Sequence, residues 1–249
     1  MKHIMTTISV LALAFIFVSP AQAQGPLKEG ATRNSSDAQY MREVGKLDAV
    51  KRATRIEKVK FDSQGNLVSG GVSILATGDG ANSLSFSAFT AGDMVVARGS
   101  TCDYFMGIYP CYWRHLALYD SDYNTGSEDD KALWSAYPNS GVETDVNGKV
   151  GRQTKRSIHT YYDQAQGIWT PSEPYSERYN TTWYAYYQAN EPYYSLSTKS
   201  STDSWYCSKI AWKAYWEKAG IDLDPNGGYH VIPDDIYASQ WISAFAFAS

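Results

Sequence analysis

Cys207 has the surroundings best suited to covalent chemistry in this 249-residue chain. Cys207, Ile210, Ala211, Ala214 and Tyr215 recur at helical spacing and share one face. Lys209, Lys213 and Glu217 point elsewhere. Thr202, Asp203 and Ser204 stand upstream, where an N-cap belongs, and Gly220 stands where a C-cap belongs. The spacing therefore predicts a helix with a thiol in its first turn. The positive end of the helix dipole favours the thiolate there, which is the form that attacks a carbonyl. The same spacing also suits a small buried core residue, since unpaired cysteines are often interior.

A nucleophilic thiol needs a base. His3 lies at the extreme N-terminus, which leaves His115, His159 and His230. His115 belongs to Trp113–Tyr119, an alternating segment in which His115, Ala117 and Tyr119 face one way and Leu116 and Leu118 the other. That defined placement makes it the preferred partner. His159 sits in an irregular stretch and His230 beside Gly227-Gly228. There are three cysteines. Cys102 and Cys111 enclose a short turn-rich loop, and in an oxidising compartment they are expected to form a disulfide. Cys207 is then the unpaired thiol, which favours the reactive reading.

Other chemistries are poorly supplied. No Cys/His pair has zinc spacing, and no glycine-rich phosphate loop occurs. Asp222-Leu223-Asp224-Pro225-Asn226-Gly227 imitates the first half of a calcium loop, but Pro233 stands where a bidentate Glu is required, so a plain turn is expected. No metal and no cofactor are therefore expected.

The elements that must position these residues follow from the rest of the chain. Ile8–Val18 is an apolar run after a short basic start, and Ala21-Gln22-Ala23 is a cleavage signature. Residues 1–23 are expected to be a signal peptide, so the protein is expected to be periplasmic or secreted, with no transmembrane segment after cleavage. The formal charge is −4 and becomes more negative when Lys2 is lost with the leader. That argues against nucleic acid as a partner. Twenty Tyr and eight Trp suit a large aromatic core or a groove. A helix is expected over Asp37–Thr54. Strands are expected over Ile56–Phe61, Leu67–Thr77, Met94–Ala97, Trp113–Tyr119, Ala132–Tyr137 and from Val142 onward. Residues 151–201 are crowded with aromatics and give no clear period, apart from a helical spacing over Tyr179–Asn190.

Gly92-Asp93-Met94-Val95, His115-Leu116-Ala117-Leu118-Tyr119, Trp205 to Tyr215, Gly220-Ile221-Asp222-Leu223-Asp224 and Val231-Ile232-Pro233-Asp234-Asp235-Ile236 occur in that order. Over about residues 88 to 240 the chain resembles the YiiX/YebB-like branch of the NlpC-type cysteine hydrolases. These are circularly permuted papain-like proteins in which the His strand precedes the Cys helix. The resemblance implies an α+β fold, with an antiparallel sheet packed on a Cys-bearing helix. It implies three segments: the leader, an N-terminal segment at 24–87, and a permuted papain-like domain at 88–249. It further implies Cys207 as nucleophile and His115 as base. The third polar group of the family, often Glu, falls near Ser135. A hydroxyl there can accept a hydrogen bond but supplies no charge, so Ser135, Glu143 or another residue fills the role. Tyr206 is placed on the oxyanion side. The implied activity is cleavage of an amide bond in a cell-wall peptide or other peptide substrate. An acyl-lipid hydrolase or acyltransferase, and an inactive binding module of the same fold, are the alternatives.

Overall fold

The structure, a computed structural model, describes residues 28–29, 38–54, 56–58, 60–61, 67–69, 82–99, 104–105, 107–139, 147–224 and 226–248. The expected leader, Cys102 with its expected bridge to Cys111, and Glu143 lie outside the described residues. So does most of the expected second hairpin strand.

In chain order the elements are α1 (Ala38–Ala53), β1 (Lys60–Phe61), β2 (Leu67–Ser69), β3 (Met94–Arg98), β4 (Tyr104–Phe105), β5 (Tyr109–Pro110) and β6 (His115–Tyr119). A 3-10 turn at Ser121–Tyr123 follows. Then come β7 (Leu133–Tyr137), β8 (Lys149–Gln153), α2 (Lys155–Tyr161), β9 (Gln164–Trp169), α3 (Tyr175–Tyr187), α4 (Cys207–Ala219), α5 (Pro233–Ala238) and β10 (Ser243–Ala248). The architecture is α+β. Six strands form one antiparallel sheet in the order β10-β9-β3-β6-β7-β8. β3 and β6, at its centre, are apolar and buried almost throughout. Such strands lose their two-faced alternation because both faces are covered.

Helix α4 packs against β6 and β7, and α3 packs against α4. Ile210, Ala211, Ala214 and Tyr215 of α4 are fully buried. Ile210 alone contributes about 2 kcal/mol of burial free energy. Gly220 ends the helix in the left-handed conformation at φ 68°, which a residue without Cβ adopts without strain. The helix start differs from expectation. Its N-cap is Tyr206, in extended backbone and with no side-chain cap bond. Ser204 and Asp203 instead bond within the preceding loop.

Residues 151–201 resolve into the end of β8, α2, β9 and α3. The helix expected from Tyr179 begins earlier, directly after Pro174. Its two mid-helix threonines return their hydroxyls to backbone, Thr181 to Arg178 O (2.6 Å) and Thr182 to Tyr179 O (2.8 Å). This internal bonding accommodates β-branched residues that would otherwise weaken the helix.

The Gly92-Asp93 pair has a definite structural task. Gly92 has φ +88°, and a Cβ there would lie 2.3 Å from the Arg178 carbonyl oxygen. Asp93 is buried and receives Lys51 Nζ at 2.7 Å and Arg178 Nη1 at 3.0 Å, while Asp48 also meets Lys51 (2.9 Å) and Arg178. Two cations on two carboxylates tie α1 and α3 to the start of β3. Compensated in this way, the charges remain tolerable in the interior.

Candidate active site

His115 is the first residue of β6 and Cys207 the first of α4. The two border one cavity of about 200 Å³, with Arg114, Phe105, Tyr137 and Tyr193 on its walls. Helix α4 packs against β6, so the strand carrying the histidine lies against the cysteine helix. Among the described residues Cys207 is the free cysteine.

The His115 ring is fixed on several sides. Tyr162 stacks on it at 5.4 Å between centroids and 9° between planes, and Tyr137 meets it edge-on at 5.4 Å. Its Nε2–H donates to Gln153 Oε1 at 2.7 Å. That bond selects the tautomer with a free lone pair on Nδ1, which is therefore the nitrogen able to take a proton. Gln153 ends β8, and the β7–β8 register sets it opposite Leu133.

Ser135 does not meet the imidazole. Its hydroxyl donates to the Leu116 carbonyl at 3.0 Å, two strands' backbones being pinned together by it. The group that contacts His115 is Gln153, an amide that accepts a hydrogen bond and carries no charge. Sequence reasoning passed over Gln153 because no local pattern marks it. The signal lies in the strand register, which depends on the turn between β7 and β8.

Tyr206 is fully buried, and its hydroxyl accepts from the Val231 backbone N–H at 3.0 Å. It holds the loop before α5 against the start of α4 and does not line the cavity. His159 and His230 are elsewhere. His159 pairs with Glu128 and the Leu84 carbonyl, and His230 bonds the Tyr109 hydroxyl at 2.8 Å.

Electrostatics correct the expectation drawn from the helix dipole. Burial pushes the Cys207 thiol up to about 11, against the pull of amides from Leu116, Ser208 and Cys207 itself. Burial also holds His115 down to about 4; Gln153 acts in the opposite direction, and Arg114 adds to the depression. Desolvation outweighs the macrodipole, so the pair rests as neutral thiol and neutral imidazole.

The acidic turn near residue 222 is internally occupied. Asp222 Oδ1 accepts from Asp224 N (2.9 Å) and Trp212 Nε1 (2.8 Å), and Asp224 pairs with Lys199. Among the described residues no group of three or more His, Cys, Asp or Glu could hold a metal ion. Among the same residues no helix is long and apolar enough to cross a membrane.

No family model matches the chain. Over 35 residues it is 54% identical to the uncharacterized protein YycO of Bacillus subtilis (strain 168), and the match covers 14% of each chain. The chain thus spans 14% of the length of that relative. Among solved structures it is similar to the metalloprotein YiiX from Escherichia coli O157:H7, with a TM-score of 0.46 and 12% identity, over 62% of this chain and 94% of that one.

Proposed function

We propose that the protein is an exported cysteine hydrolase of permuted papain-like architecture, acting on an amide bond in a wall peptide or other peptide. The observation that carries this reading is the shared cavity: a helix-start thiol and a strand histidine of fixed tautomer border the same 200 Å³ space. The chain order, with the His strand before the Cys helix, supports the permuted reading. Export rests on the leader pattern of residues 1–23.

In the proposed reaction the Cys207 sulfur attacks the substrate carbonyl as His115 Nδ1 takes its proton. The carbonyl π bond becomes an oxyanion, met by the backbone N–H of Cys207 at the helix start. Collapse of the tetrahedral intermediate breaks the C–N bond. The imidazolium returns its proton to the departing amine, leaving a thioester. Water then attacks the thioester with His115 again as base, releasing acid and thiol. Gln153 keeps Nε2 protonated and the ring aligned throughout.

Acyl-lipid chemistry is the second reading, favoured by the Phe105, Tyr193 and Pro138 walls of the same cavity. The test is a panel of muropeptides, plain peptides and acyl-lipids with parent, Cys207→Ala and His115→Ala proteins. Cleavage of a peptide that vanishes in both variants supports the amidase; cleavage of the lipids alone supports the second reading. A panel untouched by the parent, or cleaved equally by Cys207→Ala, refutes both.

A further inference from the structure

A second cavity, of about 640 Å³, opens beside the sheet edge at β8, between that strand and the end of α3. Its walls include Tyr123, Trp134, Tyr186 and Tyr187, with Lys149 and Arg152 from the strand. The volume falls in the range of small-molecule sites. Across the β7–β8 pair, Arg152 stands opposite Trp134. Because side chains alternate along a strand, Arg152 faces away from its neighbour Gln153 and hence from the His115 site.

Arg152 is half-buried and is held by aromatic rings. Lys28, Lys51 and Arg178 each meet buried carboxylates. The Arg152 guanidinium instead lies over the Tyr123 ring, 3.7 Å from its centroid, with the Trp134 ring at 5.7 Å. Among the described residues it has no carboxylate partner. A guanidinium held against a ring keeps its N–H edge available for a bidentate oxyanion. Lys149 adds a second positive charge, its ammonium donating to Asn190 Oδ1 at 3.0 Å. Glu29 also borders the space, fixed by its backbone: Tyr123 Oη donates to its carbonyl at 3.1 Å, and its N–H donates to Tyr186 Oη at 3.4 Å. Of the charged residues that line the space, two are cations and one is a carboxylate; behind the Trp134 and Tyr123 walls, Asp120 and Asp122 are met by Lys28.

We infer that this cavity binds a small oxyanion, a carboxylate or a phosphate carried on a ring-sized body. The Arg152 guanidinium receives the oxyanion, and the Trp134 and Tyr186 rings pack on the body. The site requires neither Cys207 nor His115.

The experiment is calorimetric and tryptophan-fluorescence titration of the full chain with benzoate, phenyl phosphate and uncharged benzamide, repeated on the Cys207→Ala protein. The expected result is saturable binding of at least one anion, at least about tenfold tighter than benzamide and equal in Cys207→Ala. The preferred anion distinguishes carboxylate from phosphate recognition. Arg152→Met should weaken that anion at least about tenfold and leave benzamide unchanged, with Arg152→Lys intermediate. Should Arg152→Met fail to fold by circular dichroism, Arg152→Lys and Lys149→Met carry the comparison. The inference is overturned if neither anion saturates below about 10 mM, if benzamide binds as well as the anions, or if the folded variants bind like the parent. Binding in Cys207→Ala keeps this outcome separate from the hydrolase reading.

Discussion

Replacing Gln153 by Ala tests the assignment of the residue that orients His115. In the parent, the Nε2–H of a ring that is 1% exposed donates to Gln153 Oε1 at 2.7 Å. The variant leaves that donor without its acceptor. Part of the cost, about 1–3 kcal/mol, falls on the resting protein and appears as lost stability. A further cost falls on the transition state, where the ring becomes imidazolium and the missing bond is a charge-assisted one. Only that excess slows the reaction. Tyr162 and Tyr137 still grip the ring, so its plane survives. The expected loss in kcat/KM is about 10- to 100-fold, roughly 1.4–2.8 kcal/mol. The assay is steady-state kinetics against pH on the substrate found in the panel, with urea unfolding to confirm that each variant is folded. Because Gln153 raises the His115 pKa, its loss should move the acid limb of the profile below the parent's, and Gln153→Glu should move it above. A folded Gln153→Ala enzyme with parental kcat/KM and an unmoved acid limb would refute the role assigned to this residue.

Four further predictions concern the site and the scaffold around it. With His115 at about 4 and Cys207 at about 11, kcat/KM should be nearly flat between pH of about 5 and 10, and should fall as His115 protonates below that plateau; a sharp limb near 6.5 would contradict the buried neutral imidazole. In stability, the unfolded chain binds a proton at His115 before the folded one does, so this histidine costs stability as pH drops from 6.5 to about 4, about 3 kcal/mol in full. Asp234, raised to about 6 by burial, acts in the opposite direction over an overlapping window. The His115 part is therefore read as the difference between parent and His115→Gln urea midpoints, and equal pH dependence in the two would count against it. Gly92→Ala should lower the melting temperature by about 6–12 °C, since it places a Cβ against the Arg178 carbonyl at positive φ and costs about 3 kcal/mol; a shift under about 2 °C would show that the helix yields. Lys51→Met should cost about 3–5 kcal/mol by chemical denaturation, leaving Asp93 and Asp48 to share Arg178; a neutral result would mean that the cluster repacks freely.

The sequence made some of these features legible and hid others, for physical reasons. The Cys207 helix was readable because its buried stripe obeys a 3.6-residue period and ends at a glycine. His115 was readable because the short β6 segment follows it as an apolar run. Strands β3 and β7 also lie close to the expected Met94–Ala97 and Ala132–Tyr137, but β9 and β10 were not readable. β9 carries Gln164 and Gln166 into the interior, where they accept hydrogen bonds from the hydroxyls of Tyr112 (2.7 Å) and Tyr237 (2.5 Å). Buried amides satisfied by partners far along the chain look like surface residues until the fold is known. Gln153 was hidden for the same reason, and Ser135 drew attention only because it occupied the place the family pattern assigns to a carboxylate. The dipole argument for a thiolate was sound locally, but the dryness of the surroundings, which reverses it, is a property of the assembled sheet and helices.

The depth at which Cys207 sits also bears on how well its thiol resists oxidation. With a pKa of about 11, only roughly one sulfur in ten thousand is thiolate at pH 7. Peroxide and small disulfides react with the thiolate, and so find almost none. This is chemical protection: the sulfur is kept from sulfenic acid and mixed disulfides. In the proposed reaction the sulfur becomes nucleophilic when a carbonyl enters the cavity and His115 accepts the proton, so its reactivity would depend on an occupied cavity.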